Sequence, residues 1–167
     1  AHPRTSGRGS SMARANRELA QMALHDNLPR LPNRLLLDDR LSQAFRKASR
    51  GGSQFAVLFL DVAGFKAVTD AFGHHIGDQL LVSVTERLQS QLRASDTLAR
   101  LGGDEFVLLV EITEPTDASQ LADKLVHLIA RPFYVSRYEL LVSASVGIAV
   151  YPGDGENERE LMLNADA

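Results

Sequence analysis

The apolar run from Phe55 to Leu60 is the feature that most constrains the fold of this chain. It is far shorter than the roughly 20 residues of a membrane span, and it has no polar interruption. Such a run predicts a strand that is buried on both faces at the centre of a sheet. The chain must therefore cover that sheet on its two sides.

Asp61 follows the buried run directly. A carboxylate at the end of a buried strand is costly unless it is paired, hydrogen-bonded or bound to a metal. A helical segment, Gly64 to Phe72, comes next, so Asp61 could equally cap its N-terminus. Both interpretations, cap and metal ligand, remain open from these residues alone.

The stretch Leu101-Gly102-Gly103-Asp104-Glu105-Phe106 lies between two β-type runs, 97–100 and 106–110. Paired glycines between such runs predict a tight hairpin turn, because glycine reaches positive φ without steric cost. Adjacent carboxylates at a turn repel each other unless solvent or a cation compensates them. The stretch is either a turn that carries two solvated carboxylates or part of a cation site.

The other segments complete an α+β pattern. We expect a helix from about Asn33 to Ser49, a loop at His74-His75 and a helix that begins at Gly77-Asp78, with Asp78 in its first turn. A further helix follows Pro115, and a last one starts near Asn157. We also expect a second hairpin, formed by Phe133–Val135 and a strand that starts at Leu140. The prediction is a central, mainly antiparallel sheet flanked by helices.

Residues 1–25 are predicted to be a linker or tag followed by a helix at 12–25, and residues 26–167 to be the folded domain. Arg4, Arg8 and Arg14 could touch phosphates, but a solvated tail is the favoured interpretation. The net charge of −3 gives no reason to expect a nucleic acid partner.

Cysteine is absent, which excludes disulfides and thiolate metal sites and fits a cytoplasmic location. His74-His75 lacks a third spaced ligand, so no zinc site is assigned. No membrane span is expected. If the hairpin strands flank the central strand, Asp61 and Asp104 can meet at one end of the sheet, where two carboxylates suit Mg²⁺ with phosphates and water.

Several spaced motifs resemble one family. Gly102-Gly103-Asp104-Glu105-Phe106 spells the signature of the GGDEF family, the diguanylate cyclases. The run from Phe59 to Asp70, continued by Phe72-Gly73-His74 and Gly77-Asp78, is similar to a second family motif. Leu28, Leu31, Pro32, Asn33 and Arg34 match the family's opening segment. The resemblance runs from about Asp26 to Ala167.

The resemblance implies a nucleotidyl-cyclase-like fold with a ferredoxin-like core. It implies a reaction in bacterial signalling, the condensation of two GTP into cyclic di-GMP with release of two pyrophosphates. Each domain would hold one GTP, so the active form would be a homodimer. The implied cofactor is Mg²⁺ or Mn²⁺.

The resemblance also assigns roles to residues. It implies metal ligation by Asp61, Asp104 and the carbonyl of Val62, and a catalytic role for Asp104 as base, with help from Glu105. The implied substrate-binding residues are Phe65 and Lys66 near the phosphates, Thr69 and Asp78 at the guanine, and Gly102 and Gly103 in the turn.

Arg93 and Asp96 match the family's inhibitory site for cyclic di-GMP. The planar guanidinium of arginine suits phosphate and guanine edges. Without the resemblance, the two residues would be an exposed helix end and a strand cap.

The chain departs from the family pattern in ways that motivate an alternative function. Thr69 replaces the usual Asn, and Ala63 replaces a common acid. We also expect the domain to be truncated before a helix that grips the phosphates. The stretch from Ser145 to Gly155 resembles GGDEF domains fused to an EAL phosphodiesterase domain. The alternative is therefore a weak or inactive domain that binds GTP or cyclic di-GMP and regulates a neighbouring domain.

Overall fold

The computed structural model describes residues 34–166. Its elements, in chain order, are α1 (Arg34–Gly51), β1 (Gln54–Ala63), α2 (Phe65–Phe72), α3 (His74–Gln89), β2 (Thr97–Gly102), β3 (Glu105–Ile112), α4 (Pro115–Ile129), β4 (Phe133–Val135), β5 (Tyr138–Leu140), β6 (Ser143–Tyr151) and α5 (Glu158–Asp166). The predicted tail and helix at 1–25, and the domain boundary at 26, lie outside these residues. No helix in the described range is long and apolar enough to cross a membrane.

The main sheet has four strands in the order β2-β3-β1-β6, and every neighbouring pair is antiparallel. This confirms the predicted α+β architecture. Strands β3 and β1 lie in the middle, so the apolar run that follows Gln54 is a central strand. A separate two-stranded hairpin, β4-β5, lies outside this sheet.

The central strand β1 is buried on both faces, as its composition predicts. Its even-numbered positions from Ala56 to Val62 pack into one cluster with α3 and α4. Its odd-numbered positions from Phe55 to Phe59 pack into a second cluster with α1 and α5. Because strand side chains alternate between the faces, one apolar run supplies both cores. Each fully buried Leu or Phe contributes about 1.5–3 kcal/mol.

Two local predictions were wrong. His74 and His75 do not form a loop, because α3 begins at His74. Gly73 ends α2 and begins α3 by itself, with φ 94°, so no loop separates the helices. As a result Asp78 lies beyond the first turn of α3. That first turn contains no acidic residue.

The second hairpin is also shorter than predicted. Phe133–Val135 pairs with Tyr138–Leu140 alone, whereas the strand from Ser143 belongs to the main sheet beside β1. The predicted single strand from Leu140 is therefore two strands in different sheets. Apolar composition hides the break, because Leu140 and Val142 are both buried on either side of it.

Candidate functional site

The site begins at the turn between β2 and β3. The two strands pair regularly as far as Arg100↔Phe106, and the register then shifts so that Gly102 faces Glu105. Gly103 and Asp104 make the turn, and Gly103 has φ +34°. The hairpin predicted from the two glycines is thus present. Asp104 and Glu105 are half-buried, whereas both glycines are exposed.

The sheet brings Asp61 to this turn. Strand β1 pairs with β3 so that Asp61 lies directly opposite Glu105. The backbone N–H of Val62 donates to the carbonyl oxygen of Asp104 over 3.0 Å. Residues from two distant segments therefore converge at one end of the central strands, which is the arrangement that the sequence predicts. The register adds that Glu105, rather than Asp104, is the residue opposite Asp61.

Asp61 is not a helix cap. Strand β1 continues beyond it to Ala63, and the N-cap of α2 is Gly64. This removes the cap interpretation that the sequence left open. Asp61 is half-buried at the sheet end. Between residues 34 and 166, no group of three or more His, Asp or Glu side chains is arranged to hold a metal ion.

The start of α2 lies next along the chain from this acidic end. Phe65 is half-buried and packs against the core cluster that contains α3 and α4. Lys66 is exposed, and its Nζ lies 3.0 Å from a carboxylate oxygen of Asp70, which is also exposed. An exposed pair of this kind stabilises the fold by about 1 kcal/mol or less. Lys66 can therefore exchange this partner for an anionic ligand at little cost.

Thr69 and Asp78 are brought together by the contact between α2 and α3. The Thr69 hydroxyl donates to the carbonyl oxygen of Phe65 over 3.1 Å. A Cβ placed on Gly77 would lie 2.6 Å from Thr69 Oγ1. Thr69 therefore fits into the space left by the missing side chain of Gly77, immediately before the exposed Asp78. The two predicted base-binding residues lie on adjoining helices.

Arg93 and Asp96, the predicted inhibitory-site residues, form an ion pair at the other end of β3. Two guanidinium nitrogens of Arg93 lie 3.3 and 3.4 Å from the Asp96 carboxylate oxygens. The backbone N–H of Arg93 also donates to Asp96, over 2.9 Å. Arg93 Nη2 donates to the carbonyl oxygen of Glu111 over 2.7 Å. Since Glu111 and Glu105 lie at opposite ends of β3, about 20 Å separates this pair from the acidic end.

These contacts are the ones expected of an exposed helix end and a strand cap. The pair also leaves the positively charged side chain of Arg93 exposed to solvent. The Arg93 side chain is 66% exposed, and the Asp96 side chain is 4% exposed. The described bonds of Arg93 use Nε and Nη2, so Nη1 can donate to a ligand. Arg93 also helps to hold the pKa of Asp117 below its ordinary value, after larger contributions from the backbone N–H groups of Glu114 and Thr113.

Sequence reasoning missed a cleft of about 200 Å³ that is lined by Glu111, the residue whose carbonyl oxygen accepts from Arg93. Arg40 and Lys47 of α1 line it, together with Ser95 and Thr97. Arg40 Nη1 donates to Thr97 Oγ1 over 3.3 Å, and Lys47 Nζ lies 3.3 Å from the Glu111 carboxylate. The only signal in the sequence was two basic residues seven positions apart, on the same face of a predicted helix, and such a pair is common on solvated helices.

Sequence reasoning also missed Arg100. Its Nε donates to the carbonyl oxygen of Gly103 over 3.0 Å, across the signature turn. A basic residue just before the glycine pair was the available signal. A long side chain does not reveal its acceptor before the turn geometry is known.

Comparison with known proteins identifies the family of the chain. The family described as "Diguanylate cyclase, GGDEF domain" matches residues 23–167. Among curated proteins, the chain is 63% identical over 164 residues to MucR of Pseudomonas aeruginosa, described as a bifunctional diguanylate cyclase/cyclic di-GMP phosphodiesterase. That alignment covers 98% of this chain and 24% of MucR. The chain thus spans about a quarter of this relative's length.

Solved structures have the same fold. The GGDEF domain of TpbB (YfiN) from Pseudomonas aeruginosa superposes with a TM-score of 0.82 at 40% identity, covering 85% of this chain and 84% of that chain. The GGDEF domain of DgcB from Caulobacter crescentus, solved in complex with c-di-GMP, gives a TM-score of 0.77 at 26% identity. That match covers 86% of each chain.

Proposed function

This chain belongs to the GGDEF family of diguanylate cyclase domains, and from that premise we propose that it condenses two GTP molecules into cyclic di-GMP in a homodimer. One observation carries the proposal. Asp61 lies opposite Glu105, and the backbone N–H of Val62 donates to the carbonyl oxygen of Asp104, so the backbones of three acidic residues are neighbours at one end of the sheet. Each 3′-oxygen would attack the α-phosphorus of the other GTP and displace pyrophosphate.

The donor set at this end fits a divalent cation such as Mg²⁺ or Mn²⁺. Hard carboxylate oxygens are the ligands that these ions prefer, commonly one or two together with phosphates and water. In the proposal, Asp61, Asp104 and the carbonyl of Val62 would hold the ion. When bound, it would neutralise triphosphate charge and acidify the attacking hydroxyl.

The chain's own residues divide the remaining roles. Asp104 would accept the proton of the 3′-hydroxyl, and Glu105 would help to bind the metal or the substrate. A Cβ built on Gly102 or Gly103 would meet nothing within 4 Å, so the space beside the turn is open. The substrate would approach the turn backbone through this space. Phe65 and the exposed Lys66 would lie beside the phosphates.

Base recognition would come from Thr69 and Asp78. A carboxylate pairs with two N–H donors on one edge of a guanine base. The Thr69 hydroxyl has its proton directed to Phe65, so it would offer only lone pairs to the base. One domain holds one GTP in this scheme, so a second copy must face the first.

Arg93 and Asp96 would bind cyclic di-GMP as an inhibitor. Arg93 has donors left over after its bonds to Asp96 and Glu111, and the cleft lined by Arg40 and Lys47 adds positive charge.

Because the chain lacks cysteine and would consume GTP, we also infer a cytoplasmic location.

A turnover assay on the full-length protein tests the proposed function. GTP and Mg²⁺ are supplied, and cyclic di-GMP and pyrophosphate are quantified. Asp104→Asn keeps the size of the side chain and should abolish product formation. Asp123→Asn, at an exposed position on α4, is the matched control and should leave turnover unchanged. Tight GTP binding without any product in the wild-type protein would reject the cyclase proposal.

The second candidate is a nucleotide-binding regulatory domain. Thr69 at the base site favours it, as does the similarity to MucR, whose description names a phosphodiesterase activity as well. Calorimetry with GTP and with cyclic di-GMP separates the candidates. Binding without turnover supports regulation, and binding of neither nucleotide removes both candidates.

A further inference from the structure

The turn that contains Asp104 is open at its two glycines. Gly102 and Gly103 are exposed, and a Cβ on either would have no neighbour within 4 Å. The β-ladder is also irregular here, because the register shifts between Arg100 and Gly102. Packing around the two glycines therefore does not fix the turn, so hydrogen bonds to its backbone contribute to holding it.

Two hydrogen bonds hold the peptide groups on both sides of Asp104. Arg100 Nε donates over 3.0 Å to the carbonyl oxygen of Gly103, which belongs to the peptide that enters Asp104. The N–H of Val62 donates over 3.0 Å to the carbonyl oxygen of Asp104, which belongs to the peptide that leaves it. Because each peptide is planar, anchoring both planes sets the direction of the Cα–Cβ bond of Asp104, from which the carboxylate extends.

We propose that Arg100 is a positioning residue that orients the Asp104 carboxylate for a divalent cation. This inference rests on the proposed function, because it assigns the cation to Asp104. Arg100 is well placed for this role, since it belongs to the last regular pair of the hairpin, opposite Phe106, and is half-buried there. Its guanidinium extends from ordered sheet to the irregular turn.

Charge and positioning predict opposite results for removal of Arg100. A guanidinium beside the site repels a divalent cation, so by Coulomb's law alone its removal would tighten metal binding. Loss of the bond to Gly103 would instead free the turn and weaken metal binding, because ligands must be held in place before the ion arrives. The sign of the change in metal affinity therefore tests the proposal.

The experiment measures Mn²⁺ affinity in the presence of a non-hydrolysable GTP analogue, with free Mn²⁺ followed by electron paramagnetic resonance. Arg100→Met removes the donor and keeps the length. Arg137→Met, at an exposed position between β4 and β5, removes the same charge far along the chain and serves as the control. We expect about tenfold weaker Mn²⁺ binding for Arg100→Met, the loss of one hydrogen bond from a charged donor, and no change for Arg137→Met.

Kinetics and NMR provide independent readouts. Turnover should fall in Arg100→Met while KM for GTP stays constant, because the base and phosphate contacts remain. Amide order parameters of Gly103 and Asp104 should decrease. If Arg100→Met does not fold, Arg100→Lys tests the positioning role instead. Lysine keeps the charge but provides a less directional donor, so this variant should bind Mn²⁺ more weakly than the wild type.

Unchanged or tighter Mn²⁺ binding in a folded Arg100 variant would overturn the positioning role while leaving the proposed function intact. A wild-type protein that binds neither the GTP analogue nor Mn²⁺ would instead reject the proposed function, and this inference with it.

Discussion

Asp61 on β1 lies directly opposite Glu105 on β3. In an antiparallel sheet, residues directly opposite each other project from the same face. Two acidic residues in that relationship repel unless a cation or a hydrogen-bond donor compensates them. Carboxylate oxygens placed side by side in this way are ligands that suit a hard divalent cation.

Replacing Asp61 by Asn should lower turnover on the order of a hundredfold or more, because one charged metal ligand is lost. The amide keeps the shape and an acceptor oxygen, so the thermal midpoint should move by only a few degrees. Turnover with GTP and Mg²⁺, together with a melting curve, checks both expectations. Equal activity in Asp61→Asn and wild type would show that Asp61 is not a ligand.

The contact between Thr69 and Gly77 makes a second prediction. Gly→Ala inside a helix normally stabilises by about 1 kcal/mol, but here the new Cβ would lie 2.6 Å from Thr69 Oγ1. That oxygen is bonded to the Phe65 carbonyl and cannot move freely. Gly77→Ala should therefore destabilise the domain by about 1–3 kcal/mol, as overpacking does, measured by urea unfolding.

The matched variant is Thr69→Ala. With Oγ1 removed, the same Gly77→Ala change should become neutral or stabilising, and the double-mutant cycle should show a coupling energy of about 1 kcal/mol or more. Additive effects of the two substitutions would mean that the two helices adjust around residue 77 at no cost.

Part of this molecule follows from its sequence. The buried strand β1 is predicted because a short apolar run without alternation is typical of a strand buried on both faces. The hairpin turn is predicted because two adjacent glycines lie between β-type runs. The convergence of Asp61 and Asp104 follows once β1 and β3 are neighbours. These features depend on local pattern and on simple sheet geometry.

Other features depend on tertiary contacts that no pattern reveals. Gly73 serves two helices at once, which removes the loop expected at His74. Leu140 and Ser143 belong to different sheets although the chain between them stays apolar. The bond from Arg100 to Gly103 depends on the bulge before the turn. The roles of the individual site residues stay predictions.

Thr69 should select the base through its lone pairs only. Thr69→Val keeps the shape but removes the acceptor. If Thr69 Oγ1 accepts from the 2-amino group of guanine, this change should weaken GTP binding by about five- to tenfold and leave binding of ITP, which lacks that group, unchanged. Calorimetry with both nucleotides checks it. Equal losses for GTP and ITP would assign Thr69 a packing role alone.

Arg87 should be a major stabilising residue outside the active site. Its guanidinium donates to the carbonyl oxygens of Leu128, Arg131 and Pro132 over 2.8–3.0 Å, and it lies 3.5 Å from the centroid of the Phe133 ring. Burial, and then the charge of Arg131, lower the pKa of Arg87 below its ordinary value. An arginine still remains charged at working pH.

Arg87→Met should lower the free energy of unfolding by about 2–4 kcal/mol, from lost carbonyl bonds and the cation–π contact. Arg87→Lys should recover little, because one ammonium cannot reach three carbonyls in a planar fork. Arg131→Met, which leaves the donor in place and removes a repelling charge, is the control. Urea unfolding of the three variants checks the predicted order of their stabilities. An Arg87→Lys variant as stable as wild type would contradict the stabilising role of the guanidinium.

Asp117 should make the stability of the domain depend on pH in the acid range. Its carboxylate accepts from the backbone N–H groups of Glu114 at 2.9 Å and Thr113 at 3.0 Å, and these bonds lower its pKa from the ordinary value of 3.8. A depressed pKa in the folded state means that the stabilisation is complete above the unfolded pKa and is lost as pH falls through the folded one. Wild type should therefore exceed Asp117→Asn in stability at neutral pH, and the difference should shrink as pH falls below about 4. Urea unfolding from pH 7 down to pH 3 measures it, with Asp123→Asn on the same helix as control, and a difference that is constant across that range would show that the cap does not depend on the charge of Asp117.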